Sequence, residues 1–249
     1  MHIHSSYSDG FYSPKDIFQF AKEAGLKAIS ITDHNTIKAF SEAFRESEKT
    51  QIEFIPGVEL HTLEDKKETH ILGYCIDVKE KSFRDMLQKA MKFHGNKSKA
   101  FLGKLQRSKF SCCYEGLRKI YRTFQNNLFV DRVSDIVLFD SLKTSEAIKT
   151  IKKLGGVSII AHPKNKTIRE IDFKEIEKLI TYGLDGMEIY HPSHSASDIN
   201  NLLEFAQEKG LLMTGGSDFH GFQRDKRIGF YDIQYHWLEK VKEKVIISG

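Results

Sequence analysis

Apolar residues recur along the chain in two alternating periods. Ile17, Phe18, Ala21 and Ala24 fall at helical spacing behind Ser13-Pro14, a cap followed by a proline suited to the first helical turn, and Gly25 closes the segment. Lys27 to Thr32 is then a short β-branched run that stops at Asp33-His34. The pattern predicts a second helix over Ile37 to Lys49 and strands over Glu53 to Ile55 and Thr69 to Ile76. After a divergent middle the alternation resumes. Helices are expected over Ser145 to Leu154, Phe173 to Tyr182 and Ser197 to Lys209, and strands over Val157 to Ile160, Gly186 to Tyr190 and Leu211 to Thr214. Strands separated by helices of about ten or more residues imply parallel pairing through right-handed crossovers. An α/β barrel of βα units is the expected architecture, with an open doubly wound sheet as second choice.

Residues 79–142 break this rhythm. They are rich in Lys and Arg, carry Met86, Leu87, Ala90 and Met91 at helical spacing, and show no clear strand. The expected layout is a barrel domain from 1–78 and 143–249, with 79–142 as a helical insertion over its mouth; a peripheral helical layer is the plainer reading. The segment Tyr231 to Ile247, holding the only Trp, Trp237, reads as a docking helix or strand, with simple core packing as its plainer account.

With 249 residues, 40% of them hydrophobic and 29% charged, the chain suits one globular domain and excludes disordered, collagen-like and disulfide-stapled classes. Its longest apolar runs fall far short of the roughly 18 residues of a membrane span. Cys75, Cys112 and Cys113 are odd in number and no secretory signal is visible, so free thiols in a reducing cytoplasm are expected. A net charge of +4 admits an anionic substrate but is too mild to suggest a stable nucleic-acid partner.

The placement of the 11 histidines changes the picture. His2 and His4 open the chain two residues apart, so on an extended segment both imidazoles face one side. Asp9 follows in a turn, His34 ends the second strand, Glu59 follows the third and His70 lies in the next. His162 ends the strand from Val157, and Asp218 and His220 follow Gly215-Gly216. Each residue alone has an ordinary explanation as a turn or core group. Together, nine such groups at strand ends of one barrel would repel one another and be badly desolvated unless cations lay among them. Two or three divalent ions are implied, and imidazole mixed with carboxylate suits Mn, Zn or Fe better than Ca or Mg.

These segments resemble the PHP (polymerase and histidinol phosphatase) superfamily. The motifs are His2-Ile3-His4 with Ser8-Asp9-Gly10, Thr32-Asp33-His34, Gly57-Val58-Glu59, His70, Ala161-His162-Pro163 and Gly216-Ser217-Asp218-Phe219-His220. The resemblance implies a distorted seven-stranded TIM-like βα barrel with a metal cluster at its mouth, and a metal-dependent phosphoesterase in which a hydroxide bridging two ions attacks phosphorus in line. It makes His2, His4, Asp9, His34, Glu59, His70, His162, Asp218 and His220 the metal ligands, with Glu59 bridging. Gly186 to His194 resembles the branch acting on nucleoside monophosphates, nucleoside 3',5'-bisphosphates or short oligoribonucleotide ends. Within that branch His194 is the expected phosphate contact and His191 a weaker one. Lys164, Lys166 and Arg169 are possible anion-steering groups, more plainly read as surface charge. Asp33 is expected to orient a ligating imidazole or to cap a helix.

Two departures from the family pattern stand out. The segment before His2 is short for a full first strand, and such a stub is expected to leave an edge exposed and a mobile α-amino group beside His2. The middle lacks the branch's Arg-Pro-His signature, with Phe129-Val130-Asp131-Arg132 the nearest remnant. Rival readings are a histidinol-phosphatase-like small-molecule phosphatase, an amidohydrolase cleaving C–N bonds, and a non-catalytic module of the same fold. Asp9, Glu59 and Asp218-x-His220 favour the phosphoesterase.

Overall fold

The computed structural model describes residues 1–65, 67–92, 141–223 and 225–248. Helix α1 (Pro14–Glu23) starts at a reciprocal cap in which Ser13 accepts from the Asp16 amide and the Asp16 carboxylate turns back to Ser13. It leads into β1 (Ala28–Ile29), α2 (Phe40–Thr50) and β2 (Glu53–Phe54). Strands β3 (Gly57–Glu64) and β4 (Lys67–Tyr74) follow. After residues 93–140 come α3 (Thr144–Lys153), β5 (Val157–Ile160), the short pair β6 (Lys164–Asn165) and β7 (Arg169–Glu170), and α4 (Phe173–Thr181). The chain closes with β8 (Gly186–Tyr190), α5 (Ala196–Lys209), β9 (Leu212–Gly215) and α6 (Tyr235–Ser248).

Five strands form one sheet in the order β3-β4-β5-β8-β9, while β1 pairs with β2 and β6 with β7. The parallel expectation holds for β5-β8-β9, whose strands are joined through α4 and α5. It fails around β4, which is antiparallel to both β3 and β5. The cause is the two-residue connection at 65–66, too short for a crossover and sufficient only for a hairpin. Glu59 follows β2, as expected, and itself lies inside β3, whose start at Gly57 the pattern did not predict.

Strand ladders among the described residues do not close into a barrel. Bridges nevertheless join Ile3 to Phe219 and His34 to Glu59. The Thr32 amide donates to the Ile3 carbonyl, and Ile55 to Ile29. These contacts carry the first segment between β9 and the 30–34 stretch.

The largest core cluster lies between the five-stranded sheet, α3, α4 and α5, and includes Phe83, Met86 and Ala90 of a helical stretch at 81–92. Of the expected insertion at 79–142, residues 79–92 and 141–142 are described; 93–140, with Cys112, Cys113 and the Phe129 to Arg132 remnant, lie outside the described residues. A second cluster packs α1 and α2 on Ile3, Ile29 and Ile31. The C-terminal segment is a helix, with Leu238 and Val241 buried against Leu72 and Val157 and Trp237 stacked on Tyr190. No helix of the described residues is long and apolar enough to cross a membrane.

Candidate metal centre

The first segment is short but held on both flanks. Its Met1 amine donates to the Gly215 carbonyl at 2.8 Å, and the Tyr74 hydroxyl donates to the Met1 carbonyl at 2.7 Å. Asp218 N–H donates to His2 O and His4 N–H to Phe219 O. The expected mobile stub is thus corrected: two flanking segments satisfy its backbone, and Ile3 is buried between His2 and His4. Close approach is the reason for glycine at 216, where a Cβ would stand 2.3 Å from the His2 Cβ.

All nine expected ligands converge. Their ligand atoms form three groups within each of which every atom lies within 4.8 Å of the others: His2, His4, Glu59, Asp218; Glu59, His70, His162; and His4, Asp9, His34, His220. Glu59 links the groups by turning its two oxygens in different directions. Oε2 lies 3.1 Å from Nε2 of both His2 and His4. Oε1 lies 2.8 Å from His70 Nδ1 and 3.1 Å from His162 Nε2. His162 and Asp218 hold left-handed backbone at φ 30° and 48°, a conformation that costs free energy in non-glycine residues and recurs where function fixes a side chain.

Burial is the largest influence on His2, His70 and His162, lowering each, and carboxylates reverse it for the first two. His2 is pushed up to about 10 because Glu188, Glu59 and Asp218 outweigh its burial. His70 rises to about 9 for the same reason, through Glu59 and Glu68. His162 falls to about 4, its burial exceeding the pull of Glu59. Glu59 and Asp218 resist burial and are held well below the usual carboxylate range, by His34 and His2 for the first and His2 and His220 for the second. Burial and the buried carboxylates thus pull neighbouring imidazoles in opposite directions.

The donor set fits divalent cations. Both nitrogens of fully buried His4 lack an aligned hydrogen-bond partner, although Nε2 is 3.1 Å from oxygens of both Glu59 and Asp218. Donors that approach without aligning on one another point at a shared centre. Above them opens a cleft of about 440 Å³ lined by Asp9, Glu59, Glu68, Asp218 and Asp225 among its acids, with no Lys or Arg among its described lining residues. Such a wall repels anions unless cations neutralise it. A larger cleft, about 530 Å³ between residues 24–29 and 228–238, contains none of the nine.

Several expected roles change. His194 is tied to backbone, its Nδ1–H donating to Ile189 O at 2.8 Å and its Nε2 accepting from Lys164 N–H at 3.3 Å, so neither nitrogen is offered to a phosphate. His191 instead lines the cleft, Nδ1 accepting from the Ser193 amide and Nε2 lying 3.3 Å from Asp218. The Lys164 ammonium is spent on Ile171 O, Glu170 and the Phe173 ring, and Arg169 on Thr69 and Glu175. Lys166 is exposed.

Among the described residues, Asp33 orients no imidazole and caps no helix. Its carboxylate accepts from Ser5 N–H, Ser5 Oγ and Ser8 Oγ at 2.6–2.7 Å, which fixes the loop carrying Asp9. Asp33→Ala is expected to cost about 1–3 kcal/mol of stability by orphaning the Ser5 amide, and to weaken metal uptake about 10–100-fold. Calorimetric metal titration alongside urea unfolding checks both; unchanged uptake would contradict this placement.

Three site residues escaped the sequence reading: Glu188, His61 and Glu68. Glu188, fully buried, accepts from His2 Nδ1 at 3.0 Å and from the His162 amide at 2.8 Å. Its signal was a lone charge inside the apolar run Gly186 to Tyr190. His61 and Glu68 lie two residues from Glu59 and His70, on the same faces of β3 and β4.

The chain is similar to several proteins named for cleaving phosphoric esters. The chain is 24% identical to the phosphoribosyl 1,2-cyclic phosphate 1,2-diphosphodiesterase of Eggerthella lenta, over 92% of this chain and 97% of that one. It is 27% identical to a 5'-3' exoribonuclease of Haemophilus influenzae (88% and 89% covered) and 26% identical to the 3',5'-nucleoside bisphosphate phosphatase of Chromobacterium violaceum (88% and 86%). Among solved structures, a candidate metal-dependent phosphoesterase from Bifidobacterium adolescentis superposes with a TM-score of 0.83 at 22% identity, covering 98% of this chain and 94% of that one. A Chromobacterium violaceum protein described as an amidohydrolase gives 0.79 at 22% identity, covering 98% and 95%. At such identities the structural likeness speaks for the α/β fold alone. The PHP domain profile matches residues 1–136, a span that holds His2, His4, Asp9, His34, Glu59 and His70, and the chain belongs to the PHP domain family.

Proposed function

We propose that the chain is a metal-dependent phosphoric ester hydrolase acting on a small phosphorylated substrate of nucleotide type: a phosphomonoester, a nucleoside 3',5'-bisphosphate or a short oligoribonucleotide end. The observation that carries it is Glu59, one buried carboxylate whose two oxygens face two separate imidazole groups at the floor of an acid-walled cleft. In this reading His2, His4, Glu59 and Asp218 hold one cation, Glu59, His70 and His162 a second, and Asp9, His34 and His220 a third, with Mn, Zn or Fe the expected ions. The bridges at Ile3 and His34 support reading the sheets as one distorted barrel with these residues at its mouth.

The cations, when bound, supply the charge that acidifies a water and neutralises the phosphoryl oxygens. The chain does the rest. Glu188 keeps the His2 ring turned so that Nε2 faces Glu59 and Asp218, and Asp33 fixes the loop that carries Asp9. His191, with Nδ1 engaged by Ser193, presents Nε2–H beside Asp218 as the donor for a substrate oxygen. The relatives above are named for RNA, a nucleoside bisphosphate and a phosphoribosyl cyclic phosphate, which favours a nucleotide-type substrate over histidinol phosphate.

The test is phosphate release from a panel of nucleoside monophosphates, 3',5'-bisphosphates and short oligoribonucleotides, after chelation and after readdition of Mn, Zn or Fe. Release that vanishes with chelator and returns with one of these ions is expected. A folded, metal-loaded protein inert on every phosphoester would overturn the assignment.

A further inference from the structure

We infer that His61 and Glu68 act as positioning residues that select which ring nitrogen two metal ligands present, His34 through Nε2 and His70 through Nδ1. This rests on the metal reading above. His61 and His70 stand directly opposite in the β3-β4 register, so period two puts Glu59 and His61 on one face of β3 and Glu68 and His70 on the matching face of β4. There they form a continuous chain. Glu68 Oε1 is 3.0 Å from His61 Nδ1 and 3.2 Å from His70 Nε2, and His61 Nε2 is 2.8 Å from His34 Nδ1.

With the rings neutral, as binding to cations requires, the proton count along this chain has one solution. An ionised carboxylate only accepts, so His61 carries its proton on Nδ1 and His70 on Nε2. His61 Nε2 then has only a lone pair, and His34 must donate to it from Nδ1. What remains is a lone pair on His34 Nε2, on the Asp9 side at 3.8 Å, and one on His70 Nδ1, 2.8 Å from Glu59 Oε1. Both face the groups assigned to cations. His34 Nδ1 also comes within 3.2 Å of Glu59, but its aligned partner is His61.

A further cation among His61, Glu68 and His70 would be the rival account, since their donor atoms are mutually close. Two nitrogens converging on the same Glu68 oxygen describe two donors on one acceptor instead. His2 follows the same plan, with Nδ1 given to Glu188. Each proposed cation group thus contains one imidazole whose far nitrogen is held by a dedicated partner, the arrangement that raises ligand basicity and fixes ring orientation.

The experiment uses the zinc-loaded full chain labelled with ¹⁵N-histidine, where long-range proton–nitrogen correlations report each tautomer. Protons on His34 Nδ1, His61 Nδ1 and His70 Nε2 are expected. His61→Phe and Glu68→Ala, the second at a position only partly buried, should each weaken zinc binding about 10–100-fold while the number of ions bound at saturation is unchanged. Opposite tautomers, wild-type affinity in both variants, or loss of one whole ion from the count would overturn the inference. A wild-type chain that takes up no zinc would overturn the metal reading itself, and this with it.

Discussion

Glu59→Gln is expected to lower metal-dependent phosphate release by more than about a hundredfold, beyond the 10–100-fold typical of losing an outer partner of a ligand. The substitution keeps the shape of the side chain and replaces one oxygen with an amide nitrogen that donates. One imidazole pair then faces a donor where it needs an anion: His2 and His4 if the amide falls at the Oε2 position, His70 and His162 if it falls at Oε1. Whichever way the amide turns, one cation loses a ligand and the bridge is gone. The check is turnover on the nucleotide panel with metal content per chain measured on the same samples. Near-native turnover with a full metal complement would show that the carboxylate does not join the two groups.

The second large effect concerns a residue outside the nine. Glu188→Leu should destabilise the metal-free protein by about 3–5 kcal/mol, because it strands a buried imidazole and leaves the His162 amide without its acceptor. The pH dependence follows from the two partners. Against its burial, the Glu188 carboxyl is drawn from its usual 4.5 to about 2 by His2 and His191, so its contribution is whole above 4.5 and is lost as pH falls toward 2. His2 moves the other way, from 6.5 to about 10, so its contribution is whole below 6.5 and is lost as pH rises toward 10. The chelated wild type should therefore gain most from this pair between about pH 4.5 and 6.5, and the variant should lack the acid shoulder and keep a smaller alkaline one, because Glu59 and Asp218 still raise His2. Urea unfolding across pH measures it; parallel curves for the two proteins would contradict the pairing.

Much of this site was legible because its chemistry is carried by residue types that have no other reason to recur where strands end. His2, His4, His34 and His162 stand at the ends of extended segments, and Asp218 and His220 behind a glycine pair. The first helix was legible through its cap at Ser13, which the backbone uses as expected; the cap at Ser195 went unread, and the helix it opens at Ala196 was placed from Ser197. Strand direction was not. Only two residues separate β3 from β4, and although Val58 to His61 alternate apolar and polar, Thr62 and Leu63 break the pattern in a strand buried on both faces. Missing the hairpin concealed His61 and Glu68, since their relation to Glu59 and His70 exists only once β3 and β4 are laid side by side. His194 misled for a different reason: its motif is intact, but its two nitrogens are consumed by the backbone of 189 and 164, a three-dimensional fact with no trace in local spacing. Lys164 likewise follows a metal-bearing motif and still turns its ammonium away to Ile171 and Glu170.

The most direct test is anomalous diffraction from crystals of the protein supplied with Mn, Zn or Fe, collected at the absorption edge of each. Peaks are expected among His2, His4, Glu59 and Asp218, among Glu59, His70 and His162, and among Asp9, His34 and His220. The same nine side chains in the same places with no peak between them, in crystals bathed in the metal, would contradict the account.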